Sequence, residues 1–232
     1  MKYLVGILIL VSAFSVNAAT QFTSEIFKKG SNRTEKLYSV TYKFDTAGSD
    51  EVRTFEYFDP KGVLALREIT SLKNGKVTKV VVEQKQINQV GTIEVADAKL
   101  VFTVEESGKK KSSSEKFKEP FLVPANLQDF VSANWEEIDK GKTFDFRWGV
   151  WFRKETVGFE FTKIGDEQEG AEQVMVVRMK PSSWLIAKLV DPIIFKFNRS
   201  TKRLSSFIGR VAPKQAVGGD YKDLDGEVVY KY

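Results

Sequence analysis

Alternation of apolar and polar residues recurs along most of this chain, and a period of two commits it to β-structure. Tyr38, Val40, Tyr42 and Phe44 share one face, with Ser39, Thr41 and Lys43 on the other. Phe55 and Tyr57 lie in the next such segment, and Asp59-Pro60-Lys61-Gly62 is a turn into residues 63–69. Asn74-Gly75 is the strongest hairpin signal in the sequence, because both residues tolerate the positive φ that a tight two-residue turn demands. It leads into residues 77–87, where Val80 and Val82 alternate with Lys79, Val81 and Glu83. Ile93 and Val95, then Leu100, Phe102 and Val104, complete an antiparallel meander of about six strands.

The period changes within residues 124–140. Leu127, Phe130, Val131, Trp135 and Ile138, with Asn134 as the polar exception, occupy one face of a helix of about four turns, and Gly141 suits its C-terminal cap. Strands resume at Phe144, Phe146 and Trp148, then at Val157, Phe159 and Phe161, and then over residues 174–179. A second short helix is expected over residues 182–190, introduced by Pro181, capped by Ser182-Ser183 and stopped by Asp191-Pro192. Ile193, Phe195 and Phe197 start a further strand. Lys202-Arg203 turns into Leu204, Ser206 and Ile208, and residues 226–232 close the chain. The expectation is a mainly β protein with one strongly curved antiparallel sheet, a half-barrel or open barrel of about eleven strands. Two inserted helices cover its concave side, and residues 19–232 form one domain.

The first residues speak to location. Lys2 precedes the apolar stretch 4–14, and Val16 and Ala18 stand at −3 and −1 of a cleavage site. Residues 1–18 therefore read as a secretory signal peptide, with an uncleaved anchor as the alternative. The apolar run is shorter than the ~20 residues a membrane-crossing helix needs. No cysteine follows the cut, so a lipid anchor is not expected. A cysteine-free exported domain fits the periplasm of a Gram-negative bacterium better than a eukaryotic secretory route. On the latter, Asn32-Arg33-Thr34 and Asn198-Arg199-Ser200 would be glycosylation acceptors.

Cys and His are both 0, which removes disulfides, thiolate nucleophiles, imidazole bases and Cys/His metal sites at once. An enzyme would have to work through carboxylates, Lys, Tyr or Ser. Glu105-Glu106 and Glu136-Glu137 are adjacent pairs that diverge on a strand or a helix. Asp223-Leu224-Asp225-Gly226 lacks the later Glu of a calcium loop and reads as a surface turn. No phosphate loop or nucleophile elbow is present. The reading is a non-enzyme with no cofactor and no metal. The net charge is +5. Its one concentration, Lys109-Lys110-Lys111 before Ser112-Ser113-Ser114, reads as a solvated hairpin tip, with weak attraction to anionic lipid or polyanions as the alternative. Nothing indicates nucleic-acid binding.

Aromatic residues carry more information. Phe is 18, Tyr 7 and Trp 4, and many cluster between Phe144 and Phe161. These rings either fill a core or line a cavity, since a curved sheet of ten or more strands encloses more volume than its own side chains readily fill. The candidates for an apolar cavity or its lid are Trp135, Phe146, Trp148, Phe159, Phe161, Met179, Trp184, Leu185, Phe195 and Phe197. The second expected helix has almost no polar face beyond Lys188, so it is buried, rests on lipid, or acts as a lid. The terminal Val228, Tyr230 and Tyr232 alternate as in the last strand of outer-membrane barrels, against which stand the recurring charges and the inserted helices.

The order of these motifs, Phe121-Leu122-Val123-Pro124, the helix to Trp135, then Pro181-Ser182-Ser183-Trp184-Leu185-Ile186, Asp191-Pro192-Ile193-Ile194-Phe195, Arg203-Leu204 and Phe207-Ile208-Gly209, resembles a family of exported bacterial proteins of unknown function. That family is similar to the half-barrel lipoprotein-localisation carriers, LolA and LolB. The resemblance implies acyl-chain binding under a helical lid, and hence a non-catalytic periplasmic carrier of a lipid or of lipoprotein acyl chains. A structural adaptor pairing with an envelope protein and an integral outer-membrane barrel are the alternatives.

Overall fold

The structure is a computed structural model and describes residues 20–184 and 191–232. Residues 1–18, expected to be a signal peptide, and Leu185 lie outside the described residues. Eight strands run in sequence: β1 (Thr20–Lys28), β2 (Lys36–Ala47), β3 (Asp50–Phe58), β4 (Leu64–Lys73), β5 (Lys76–Gln84), β6 (Gln89–Ala96), β7 (Lys99–Glu106) and β8 (Lys109–Lys116). The short β9 (Phe121–Leu122), helices α1 (Leu127–Ala133) and α2 (Trp135–Asp139), and six further strands follow. These are β10 (Phe144–Val150), β11 (Glu155–Glu169), β12 (Glu172–Pro181), β13 (Ile193–Asn198), β14 (Leu204–Val217) and β15 (Asp220–Lys231). All fifteen belong to one curved, open sheet in the order β8 to β1, then β15 down to β9.

β1 sits in mid-sheet, pairing antiparallel with β2 on one side and β15 on the other. The chain works outward to β8, crosses to the opposite edge, and works back. Residues 117–120 make that crossing, a link that reaches at most about 18 Å. The two edges must therefore approach each other, and the sheet rolls. Glu115 Oε1 on β8 accepts a bond from the Thr156 amide at 3.1 Å, and the Ser113 hydroxyl donates to the Lys154 carbonyl.

Fifteen strands exceed the expected eleven for identifiable reasons. β1 breaks its apolar face (Phe22, Ile26) with Ser24, which is buried by bonding to the Tyr42 hydroxyl at 2.9 Å. β8 has no apolar residue at all, and ladder pairing holds it. β9 is two residues long, parallel to β10. The lysine run is not the hairpin tip: Ser107 and Gly108, both at positive φ, make the turn. Lys109 and Lys110 lie on edge strand β8 opposite Glu106 and Glu105, and charge on an exposed edge discourages pairing with another chain. Asp223 and Asp225 likewise lie on a strand, β15, rather than on a turn, and Arg210 on β14 bridges both at 2.7 Å.

The expected four-turn helix is broken into a 3-10 turn (Pro124–Asn126), α1 and α2. The break falls at Asn134, whose side-chain amide donates to the Phe130 carbonyl at 2.8 Å and competes with the backbone ladder. Its apolar face is nonetheless buried at Leu127, Val131, Trp135 and Ile138. Two cores result. One is built from the inward faces of β1–β7 and β15, joined by Phe121, Val123 and Ala125. In the other, α1 and α2 cover β10–β14. Both described helices thus come from one segment. The second expected helix lies almost wholly outside the described residues, which include only its first three, Ser182, Ser183 and Trp184.

Candidate binding cavity at the seam of two cores

A cavity of about 320 Å³ opens where the two cores meet. Its first wall comes from β1, β2 and β3, whose alternation turns Phe22, Tyr42, Phe44, Phe55 and Tyr57 inward. Phe22 stacks on Tyr42 with centroids 4.4 Å apart, and Phe55 meets the edge of Tyr42 at 4.7 Å. The lining continues across β15, β14 and β13 through Val228, Tyr230, Phe207 and Phe195, and through Tyr232 just after β15, with Tyr232 packed on Phe22 at 4.8 Å and Tyr230 on Tyr42 at 5.6 Å. The roof is the 3-10 turn and the start of α1, with Pro124, Ala125 and Leu127.

Polar groups in these walls are largely accounted for. Burial pushes the Tyr42 hydroxyl up to about 12 and raises Tyr57 and Tyr230 as well, so all three stay neutral and act only as hydrogen-bonding groups. Arg53 on β3 is buried. It reaches Glu51 and Asp129 at 2.7 Å each, donates to the Ala125 carbonyl, and thereby pins the roof to the first wall. Beside the start of α1, where the Gln128 side chain donates to the Lys202 carbonyl and accepts from the Leu204 amide, both at 2.9 Å, the Arg203 guanidinium lies over the Tyr232 ring, 4.9 Å from its centroid, and the Tyr232 hydroxyl donates to the Leu204 carbonyl at 3.0 Å.

Beside the first wall, on the same inward face, sits Glu68 on β4, level with Phe55 of β3 and Val82 of β5. It is 4% exposed, its Oε1 has no hydrogen-bond partner, and the neighbouring Thr70 hydroxyl has none either. Burial without a cation lifts its carboxyl from 4.5 to about 7. Among the described residues no cluster of three acidic side chains could hold a metal ion.

Of the residues singled out in the sequence, Trp148, Met179 and Phe195 line the cavity. Trp135, Phe146, Phe159, Phe161 and Phe197 pack instead in the helix-covered core, where Phe161 touches Phe146, Phe195 and Phe197. Trp184 is exposed at 70% and is not part of the wall, and Leu185 lies outside the described residues. Nothing in the sequence singles out the wall made by Phe22, Tyr42, Phe55 and Tyr57 as a site, and Tyr230 and Tyr232 stand out there only as a membrane-strand signal. The alternation of Tyr38 to Phe44 already marked that face as inward. The absent information was that β1 pairs with β15, which sets these two groups of rings against each other.

No helix among the described residues is long and apolar enough to cross a membrane. Comparison with protein-family models, with curated proteins and with solved structures finds no match for this chain.

Proposed function

We propose that this protein is a non-catalytic, exported envelope protein that shelters an apolar ligand, a lipid or an acyl chain, in the cavity between its two cores. The observation that carries this reading is the aromatic lining of a space of about 320 Å³. A void of roughly 150 Å³ lined by apolar side chains already stays dry and takes up benzene, and small-molecule sites begin near 300 Å³. The rings bring large apolar area at low entropic cost, and Tyr42, Tyr57 and Tyr230 remain uncharged beside it.

The outward faces support a water-exposed protein over a membrane-embedded barrel. Across β2 to β5, Lys43, Glu56, Arg67 and Glu83 form a ladder of ion pairs on the side away from the core, and Lys79 bridges to Glu94 at 2.6 Å. A lipid-facing surface would present an apolar band there. Export follows from the leader-like residues 1–18, and the LolA/LolB resemblance points to the same class of cargo. The test is native mass spectrometry of protein prepared from cells without detergent. A bound lipid in the 1:1 complex is the expected result. Ligand-free protein that also fails to enhance the fluorescence of N-phenyl-1-naphthylamine would overturn the reading.

A further inference from the structure

We infer that the occupant of this cavity is a single-chain amphiphile with an anionic head group, and that Arg203 holds that group at the mouth. The inference rests on the cavity being a ligand site and adds to it the number of chains and the sign of the head. Three arginines contribute to the lining: Arg53, Arg203 and Arg210. Arg53 is neutralised by Glu51 and Asp129, and Arg210 by Asp223 and Asp225. Arg203 has no carboxylate within 4 Å among the described residues; its guanidinium rests on the face of Tyr232.

Stacking on an aromatic face fixes the plane of a guanidinium and leaves its N–H edge free to donate, which is the geometry that receives a carboxylate or phosphate with two parallel bonds. Tyr232 is itself held, through its hydroxyl on the Leu204 carbonyl and its ring against Phe22 at 4.8 Å and Tyr230 at 6.2 Å. One ring system therefore continues from beneath the cation into the apolar interior. A ligand with charge at one end and hydrocarbon along its length satisfies both parts. The volume limits that hydrocarbon. At about 320 Å³ the space lies at the lower end of small-molecule sites, which suits one acyl chain and not the several chains of a diacyl or triacyl lipid.

Displacement of N-phenyl-1-naphthylamine from the purified protein tests this with four ten-carbon probes: decanoate, decyl phosphate, decanol and decyltrimethylammonium. The expected result is that the two anions displace at concentrations about tenfold below decanol, with the cation weakest. Carboxylate and phosphate are separate arms, so the tighter of the two names the head-group source. In Arg203→Gln the advantage of decanoate over decanol should vanish while decanol displacement is unchanged. Equal displacement by decanoate and decanol in the wild type, a preference surviving in the variant, or loss of both ligands in the variant would each overturn the head-group assignment. Failure of every probe, and of the dye itself, would instead overturn the cavity as a ligand site.

Discussion

Gly91 lies directly beneath the indole of Trp151: a Cβ built on Gly91 would stand 2.1 Å from Cε3 and 2.7 Å from Cδ2 of that ring. Gly91 belongs to β6, two strands from one edge of the sheet. Trp151 begins the 3-10 turn Trp151–Arg153 after β10, next to the other edge. The contact therefore spans the gap across which the sheet rolls, beside the bond from the Ser113 hydroxyl to the Lys154 carbonyl and the bond from the Thr156 amide to the Glu115 carboxylate. Closure here is side chain on backbone, with no ladder between β8 and β9, and the missing Cβ lets the indole come down.

Gly91→Ala should therefore cost stability even though alanine ordinarily favours a strand over glycine. A methyl group at that distance forces the indole or the turn outward, and overpacking of this kind costs about 1–3 kcal/mol. A urea melt should show a lower midpoint, and the intrinsic tryptophan fluorescence should shift to the red as Trp151 gains water. An unchanged midpoint would mean that the seam does not contribute to folding stability.

Glu68 gives the fold an unusual pH dependence. Because burial holds its carboxyl at about 7 against the ordinary 4.5, the folded chain keeps a proton that the unfolded chain releases between those values. The unfolded state then binds fewer protons, so stability declines as pH rises from about 4.5 through 7, and below the lower value the group carries no penalty. The full effect above pH 7 has an upper bound of about 3 kcal/mol. Glu68→Gln removes the titration and keeps the shape. Urea unfolding at about pH 5 and about pH 9 should show the wild type losing stability between them and the variant holding nearly level. Parallel behaviour of the two proteins would argue against a buried neutral carboxyl.

Much of the architecture was legible because inward and outward faces alternate cleanly wherever one side of a strand is dry. Val40, Tyr42, Phe55, Val80, Val82, Ile93, Leu100 and Phe102 are all buried as their spacing requires. The signal failed where burial was satisfied by other means. Ser24 is buried through a hydrogen bond, β8 is held by pairing and cross-strand charge, and Asn134 breaks a helix whose apolar face alone looked continuous. The site was harder to read. Phe146, Phe159 and Phe161 cluster in sequence and so drew the cavity assignment, yet α1 and α2 press on them and fill that half. The open space lies on the other side of the roof, between rings from residues 22–57 and residues 195–232. Only the pairing of the first strand with the last places those rings together.

The second described helix is clamped to the sheet at its C-terminus by charge. Asp139 accepts from Arg199 at 2.6 Å and from Lys163 at 2.8 Å, and Asp166 completes the square with 2.7 and 2.8 Å contacts to the same two cations. Hydrogen bonds from Arg199 first, and then from Lys163, hold the Asp139 carboxyl well below its ordinary 3.8. A lowered carboxylate stabilises the fold above its unfolded value and loses that contribution as pH falls through the folded value. Asp139→Asn should thus cost about 1 kcal/mol at neutral pH, since the network is only partly shielded from water. The deficit should narrow below about pH 4, where the wild type starts to give up the same interaction. Thermal melts across an acid series would show the two curves converging.

Filling the cavity separates its role as a binding space from its role in folding. Val228 on β15 borders the cavity, paired with Ile26 of β1 and Phe207 of β14. A larger apolar side chain at a solidly packed position strains its neighbours by about 1–3 kcal/mol. Val228 is itself buried but borders the cavity of about 320 Å³, and the added ring of Val228→Phe can extend into that space. The variant should therefore melt within about 1 kcal/mol of the wild type or above it, yet bind N-phenyl-1-naphthylamine several-fold more weakly and come from cells with less lipid attached. A clear loss of stability with dye binding intact would place Val228 in a filled core, and the cavity would then lie elsewhere. Stability and binding moving in opposite directions is the result that a ligand-sized void requires, because the atoms that improve packing of the empty protein are the ones that exclude the guest.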